Sequence, residues 1–221
     1  MPYWIYLTFQ DSVSSWMEEI VKFHDYIIVF IVLILVFVFY LLMLPWISHS
    51  FNLFTREDHT IESIWTIIPA IVLIFISVPS IRLLYLFEDL EDCRITIKIV
   101  GHQWYWSYEY SDLSGVRFDS FMEESNLTRV LKNSSPLVIS TNLNIRLILT
   151  SADVIHSWAL PATGVKLDAV PGRLNQSFIF RKFSSILMGQ CSELCGANHS
   201  FIPITVIFLN ISSFLRLINL V

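Results

Sequence analysis

Residues 27–44 read IIVFIVLILVFVFYLLML, and this run decides the architecture of the chain. No charged residue occurs from Tyr26 through Ser48. A helix built on it is long enough to cross a hydrocarbon layer of about 30 Å. A second run, Ser63 to Ile81, is equally free of charge, ends at Arg82, and has Trp65 and Tyr85 near its ends, where membrane aromatic belts sit. Pro69 and Pro79 would break a soluble helix; a membrane helix tolerates them when its neighbours satisfy the freed carbonyls, which predicts partner helices. The chain therefore divides into an N-terminal segment 1–25, a transmembrane helix 26–48, a connector 49–60, a second transmembrane helix 61–87, and a domain 91–221. The hairpin puts both termini on one side. Lysines and arginines near the spans are too sparse to orient it (Lys22, Arg56, Arg82, Arg94), and Asp11, Glu18 and Glu19 ahead of the first lysine do not fit a secretory signal.

Composition agrees with a membrane chain. Of 221 residues, 54% are hydrophobic and 15% charged, too apolar for a soluble domain of that size. The net charge of -5 excludes the basic footprint of a nucleic-acid binder. Beyond Glu91 the pattern changes from apolar runs to alternation. Ile95-Thr96-Ile97-Lys98-Ile99 and Asn144-Ile145-Arg146-Leu147 read as half-buried strands, with turn chemistry at 114–115, 133–136, 161–164 and 171–172. Short strands at such spacing predict an all-β sandwich.

Within that domain, Cys191-Ser-Glu-Leu-Cys195-Gly-Ala-Asn-His199 packs two thiols and an imidazole into one loop, with His156 upstream beside Trp158. Thiolates and neutral imidazoles form a soft donor set suited to copper, zinc or iron-sulfur chemistry. A Cys-x3-Cys disulfide, a structural zinc site and buried free thiols are open alternatives. A second dense patch is GHQWYWSYEY, residues 101–110. On a strand, Trp104, Trp106, Tyr108 and Tyr110 share one face and Tyr105 and Glu109 the other, so at least one ring is presented for contact.

The hairpin, GHQWYWSYEY, SADVIHSWALPATGVKLDAVPGRLNQ and GQCSELCGANHSF together resemble the second subunits of mitochondrial cytochrome c oxidase, from the first span to about Leu209. The resemblance implies a cupredoxin-like sandwich holding a dinuclear copper A centre. Cys191 and Cys195 bridge the coppers, His156 and His199 complete one each, and the Glu193 carbonyl is a weak axial ligand. It implies that Trp104 receives electrons from cytochrome c, docked by Tyr105, Glu109, Asp112, Asp119 and Asp153, and that they pass to haem a of subunit 1, where haem a3 and copper B reduce oxygen with proton pumping. It further places the Glu193 side chain on a magnesium ion shared with subunit 1, and Glu62 at the mouth of a proton-uptake channel. Sequence alone reads Glu62 as a first-turn carboxylate complementing the helix dipole. The localisation implied is the mitochondrial inner membrane, with other oxidase subunits and lipid as neighbours, the connector facing the matrix, and the termini and copper domain in the intermembrane space. The competing function is a membrane-anchored copper- or zinc-binding protein without electron transfer.

One position departs from the family. Its pattern continues after the histidine as Ser-Phe-Met-Pro, the methionine being a weak axial ligand, whereas this chain reads Ser200-Phe201-Ile202-Pro203. Ile202 cannot ligate, and axial ligands mainly tune potential in thiolate-copper sites. Many mitochondrial codes read AUA as methionine, where a standard-code translation prints isoleucine. Mass spectrometry of the peptide spanning residue 202 is expected to show methionine; a mass for isoleucine refutes the codon explanation.

Overall fold

The computed structural model describes residues 9–48, 57–88, 92–112, 115–125 and 128–218. Most of the expected connector, including Arg56, lies outside these residues. Helices α1 (Ser15–Ser48) and α2 (His59–Glu88) precede ten strands, and a short helix α3 (Ile211–Ile218) closes the chain. By contact, residues 19–87 form one unit, and residues 1–18 with 88–221 the other.

In the helical unit, both helices are long and apolar enough to cross a membrane. Their large side chains, Leu35, Phe39, Leu73 and Phe75 among them, are exposed all round, as for helices solvated by lipid. Asp58 caps α2: its Oδ1 accepts the N–H groups of Thr60 at 2.9 Å and Ile61 at 3.3 Å. Pro79 lacks the N–H that would reach the carbonyl four residues back, that of Phe75. Tyr26 of α1 donates its hydroxyl to that carbonyl at 3.2 Å. The neighbour demanded by the proline is the other arm of the hairpin.

Helix α1 starts well before its apolar run. Ser14 caps it, its Oγ accepting the Met17 N–H at 3.1 Å while donating to the Thr163 carbonyl at 2.6 Å. Trp16 packs edge-on against Phe178 at 4.8 Å, and the Val13 N–H reaches the Ala162 carbonyl at 2.9 Å. The end of the N-terminal segment is thus fixed by the sandwich rather than by hydropathy.

The sandwich is two five-stranded sheets. One runs β3 (Arg117–Ser120), β2 (Tyr105–Tyr110), β1 (Ile95–His102), β5 (Ile145–Ser151), β8 (Asn175–Ile179). The other runs β4 (Leu137–Ser140), β10 (Pro203–Leu209), β9 (Ser185–Cys191), β6 (His156–Leu160), β7 (Val165–Ala169). Alternation directs Ile97 and Ile99 of β1, and Ile145, Leu147 and Leu149 of β5, into the core. These two strands are parallel, with Ile97 opposite Leu147 and Ile99 opposite Leu149. Trp106, Tyr108 and Tyr110 of β2 are buried with them. Helix α3, not anticipated from the residue pattern, is capped by Asn210, whose Oδ1 accepts the Ser213 N–H at 2.9 Å, and buries Phe214.

The Tyr26 bond is tested by a double-mutant cycle read as unfolding of the chain by dodecyl sulfate. Tyr26→Phe should cost about 0.6–1.7 kcal/mol, the range for hydrogen bonds between membrane helices. In a Pro79→Ala background, where the helix satisfies Phe75 itself, that cost should shrink. Equal costs in both backgrounds refute the pairing.

Candidate metal centre

Three separated segments converge at one end of the sandwich. His156 is the first residue of β6 and is fully buried. Cys191 is the last residue of β9, opposite Trp158 of β6, and its N–H donates to the Ile202 carbonyl at 3.2 Å. The Ser192 N–H donates to the Ser157 carbonyl at 2.9 Å, so residues 191–192 are held from both sides. The chain then loops through Cys195 and Gly196, whose φ of +124° suits glycine. It returns through a 3-10 turn, His199–Phe201, to β10.

This folding gathers the donors. Ligand atoms of His156, Cys191 and Cys195, all buried, lie within 4.8 Å of one another. His199 Nδ1 is 3.6 Å from Cys195 Sγ. The Cys191 thiol donates to the Glu193 carbonyl at 3.4 Å, and residue 193 is itself exposed. Both cysteines are free thiols, which removes the disulfide alternative. His156 is oriented from several directions. Its Nε2 is 2.8 Å from Asp153 Oδ1, and the Trp106 ring stands tilted at 5.8 Å. Gly101 of β1 comes so close that a methyl group there would lie 2.8 Å from His156 Cδ2. His156 Nδ1 is buried and has no hydrogen-bond partner among the described residues. A metal-ligating histidine carries its second nitrogen on a carboxylate in this way, leaving the first for the ion.

The electrostatics suit a cation. Burial opposes ionisation of Cys191, but His156 and the Glu193 and Ser157 backbone bring its thiol down to about 7. Burial and then the neighbouring Cys191 charge push the Cys195 thiol up to about 12. Burial also disfavours a charged His156, yet Cys191 and Asp153 raise its pKa overall. A bound cation displaces the protons that the pair otherwise retains. The donor set fits a soft, redox-active metal.

The other expected residues fall in different places. Trp104 is half-buried rather than openly exposed; it follows a cis Gln103–Trp104 peptide in the β1–β2 turn. Tyr105 is stacked between His102 and Phe121, each at 4.5 Å. Gln103, Trp104, Tyr105, Phe121, Met122, Asn198 and Phe201 line an open groove of about 520 Å³. The four carboxylates stand on different segments: Glu109 on β2, Asp112 beyond its end, Asp119 on β3 and Asp153 between β5 and β6. Asp153 meets the Gln103 N–H at 2.6 Å, and Asp119 accepts the Ser107 hydroxyl at 2.6 Å. Glu109 faces Lys98 at 3.8 Å, and Asp112 accepts the Thr96 N–H at 2.6 Å toward the opposite end of the strand. Glu62, in the first turn of α2, lies 3.6 Å from His59. Ile202 is buried. Gly101 and Gln103 were not marked by sequence reasoning. Both stand inside the aromatic motif, and their roles come from what folds over them.

Comparison with known proteins is consistent along the chain. The family described as "Cytochrome C oxidase subunit II, periplasmic domain" matches residues 95–209, and "Cytochrome C oxidase subunit II, transmembrane domain" matches residues 2–83. "Cytochrome c oxidase subunit 2" of Drosophila yakuba is 45% identical over 99% of this chain and 98% of that protein. The protein of the same description from Yponomeuta malinellus is 46% identical over the same shares. Among solved structures, the periplasmic domain of subunit II of cytochrome oxidase of Bradyrhizobium japonicum is 42% identical. It covers 59% of this chain and 94% of its own, with a TM-score of 0.57.

The close approach of Gly101 gives a direct test. Gly101→Ala should displace the His156 ring and cost about 1–3 kcal/mol in stability. Thiolate-to-metal charge-transfer absorption on adding copper should fall sharply, while far-ultraviolet circular dichroism keeps the sandwich signature. Undiminished absorption refutes this role.

Proposed function

We infer the role of the chain from its family: it belongs to the cytochrome c oxidase subunit II family and is the electron-receiving subunit of that oxidoreductase. It is an inner-membrane protein with two spanning helices, and the family's copper fits its buried His/Cys/Cys group. We propose that His156, Cys191, Cys195 and His199, with the Glu193 carbonyl, hold a dinuclear copper centre. We further propose that electrons arrive from cytochrome c beside Trp104 and leave to haem a of subunit 1. The observation that carries this reading is the set of donor atoms within 4.8 Å, buried next to the groove that Trp104 lines. When bound, a dinuclear copper centre would supply one-electron redox chemistry.

The chain's residues hold that site in three ways. The β6 and β10 hydrogen bonds at Cys191 and Ser192 fix the first thiolate, and the loop through Gly196 brings the second beside His199. Asp153 keeps the proton of His156 on Nε2, so that Nδ1 is the ligating nitrogen. Trp106 and Trp158, both fully buried, keep water from the thiolates. The rival reading, an anchored zinc or copper protein without electron transfer, gives no reason for the aromatic groove, and zinc has no redox role.

At the docking surface, Tyr105 and the groove receive the partner's apolar rim. Asp119 and Asp153 lie nearest, since both carboxylates act on His102 beside Tyr105. Glu109 and Asp112 extend the negative field along β2 and steer a basic partner from further away. The exposed Glu193 carboxylate supplies oxygen for magnesium at the boundary with subunit 1, a cation that prefers such ligands. Glu62, half-buried at the start of α2, serves proton uptake from the matrix, with the sandwich in the intermembrane space. The electron paramagnetic resonance spectrum of the assembled oxidase should show one electron shared between two coppers, and His156→Ala should abolish that pattern. A silent spectrum with bound zinc overturns the reading.

A further inference from the structure

We propose that Gln103 is a positioning residue for electron transfer, its side-chain amide tying the turn that carries Trp104 to the Cys195 peptide. The proposal rests on the reading of Trp104 as the acceptor of electrons, and goes beyond it by naming what couples that ring to the thiolates.

Residue 103 is held by two bonds to two different segments. Its backbone N–H donates to Asp153 Oδ2 at 2.6 Å, and its Nε2 donates to the Cys195 carbonyl at 2.9 Å. The first bond reaches the carboxylate that also holds His156. The second reaches the peptide that follows a thiolate. The indole beside it has no polar anchor of its own: Trp104 Nε1 is buried without a hydrogen-bond partner among the described residues. What keeps the ring in place is packing on Gly196. A methyl group at Gly196 would lie 3.3 Å from both Cζ2 and Nε1 of Trp104, and 3.2 Å from Gln103 Nε2. The ring and the amide therefore cover the same glycine, one peptide beyond Cys195. An electron on Trp104 has two short routes to that peptide, through contact with Gly196 and through the Gln103 hydrogen bond. Both depend on the amide keeping the turn closed over the loop. One electron crosses, oxidising the ferrous haem donor to ferric and reducing the centre, and no bond or proton changes hands.

The test uses the assembled oxidase with ruthenium-labelled cytochrome c reduced by a flash. Gln103→Met keeps the length and loses the donor; Gln103→Glu puts a carboxylate against the Cys195 carbonyl. Both should slow the first-order transfer, by up to about a hundredfold, the scale on which an ångström of misplacement acts, with Gln103→Glu the slower. The first-order phase reads transfer within the preformed complex, apart from the docking to which groove-lining Gln103 contributes, and the hyperfine pattern of the metal centre should stay parental. Parental transfer rates in both variants overturn the proposal. So does an altered hyperfine pattern, which would make Gln103 a support of the metal rather than of the path. Trp104→Phe is the control. If it transfers at the parental rate, the reading of Trp104 itself fails; if it is slow while the Gln103 variants are not, only the present proposal falls.

Discussion

Everything at the functional end of the sandwich depends on one constraint: a fully buried imidazole grouped with two thiols, whose Nε2 lies on Asp153 and whose buried Nδ1 has no hydrogen-bond partner among the described residues. An unsatisfied buried polar atom costs about 1–3 kcal/mol. The fold meets that cost with a core in which Trp106, Trp158, Ile99 and Ile204 are fully buried. Rigid packing then prevents the donors from finding other partners. A cation binding there replaces the missing interaction, so affinity for metal and stability of the loop are linked.

The topology explains why this end and not the other. β1 delivers Gly101 to the face of the imidazole, β6 begins with His156, and β9 ends with Cys191. Strands from both sheets therefore terminate around the same point, and the irregular backbone between them is free to turn donors inward. The parallel pairing of β1 with β5 carries the chain from Ser151, through Asp153, to His156. The carboxylate that orients the ring thus arrives on the segment that brings the ring.

The two spans, the sandwich and the loop that carries two of the candidate donors were legible in the sequence because each rests on local chemistry: unbroken apolarity, alternation, and two thiols in one loop. What was not legible depends on tertiary contact. Helix α1 begins at Ser15 because Ser14 and Trp16 bind the sandwich, which hydropathy cannot report. Glu109, Asp112, Asp119 and Asp153 read as one acidic cluster, but only Glu109 lies on β2: Asp112 is past its end, Asp119 is on β3 opposite Ser107, and Asp153 sits between β5 and β6 beside Gln103. Asp153 reads as a surface charge, yet its carboxylate is engaged by Gln103, Val154 and His156. Gln103 and Gly101 carry no chemical signal of their own; their importance comes from the Cys195 carbonyl and the His156 ring that fold over them.

Position 202 separates what the backbone does from what the side chain does. The carbonyl of residue 202 accepts the Cys191 N–H whatever side chain is attached, so the strand pairing that fixes the first thiolate is indifferent to isoleucine or methionine. The side chain is buried in the core, where the two residues have similar volume and their exchange typically costs less than about 1.5 kcal/mol. Neither fold nor loop therefore discriminates between them. The difference is confined to donor chemistry: a thioether can be a weak ligand and a branched alkyl group cannot, so the exchange would act on the potential of a metal held by the proposed donors and leave their scaffold intact.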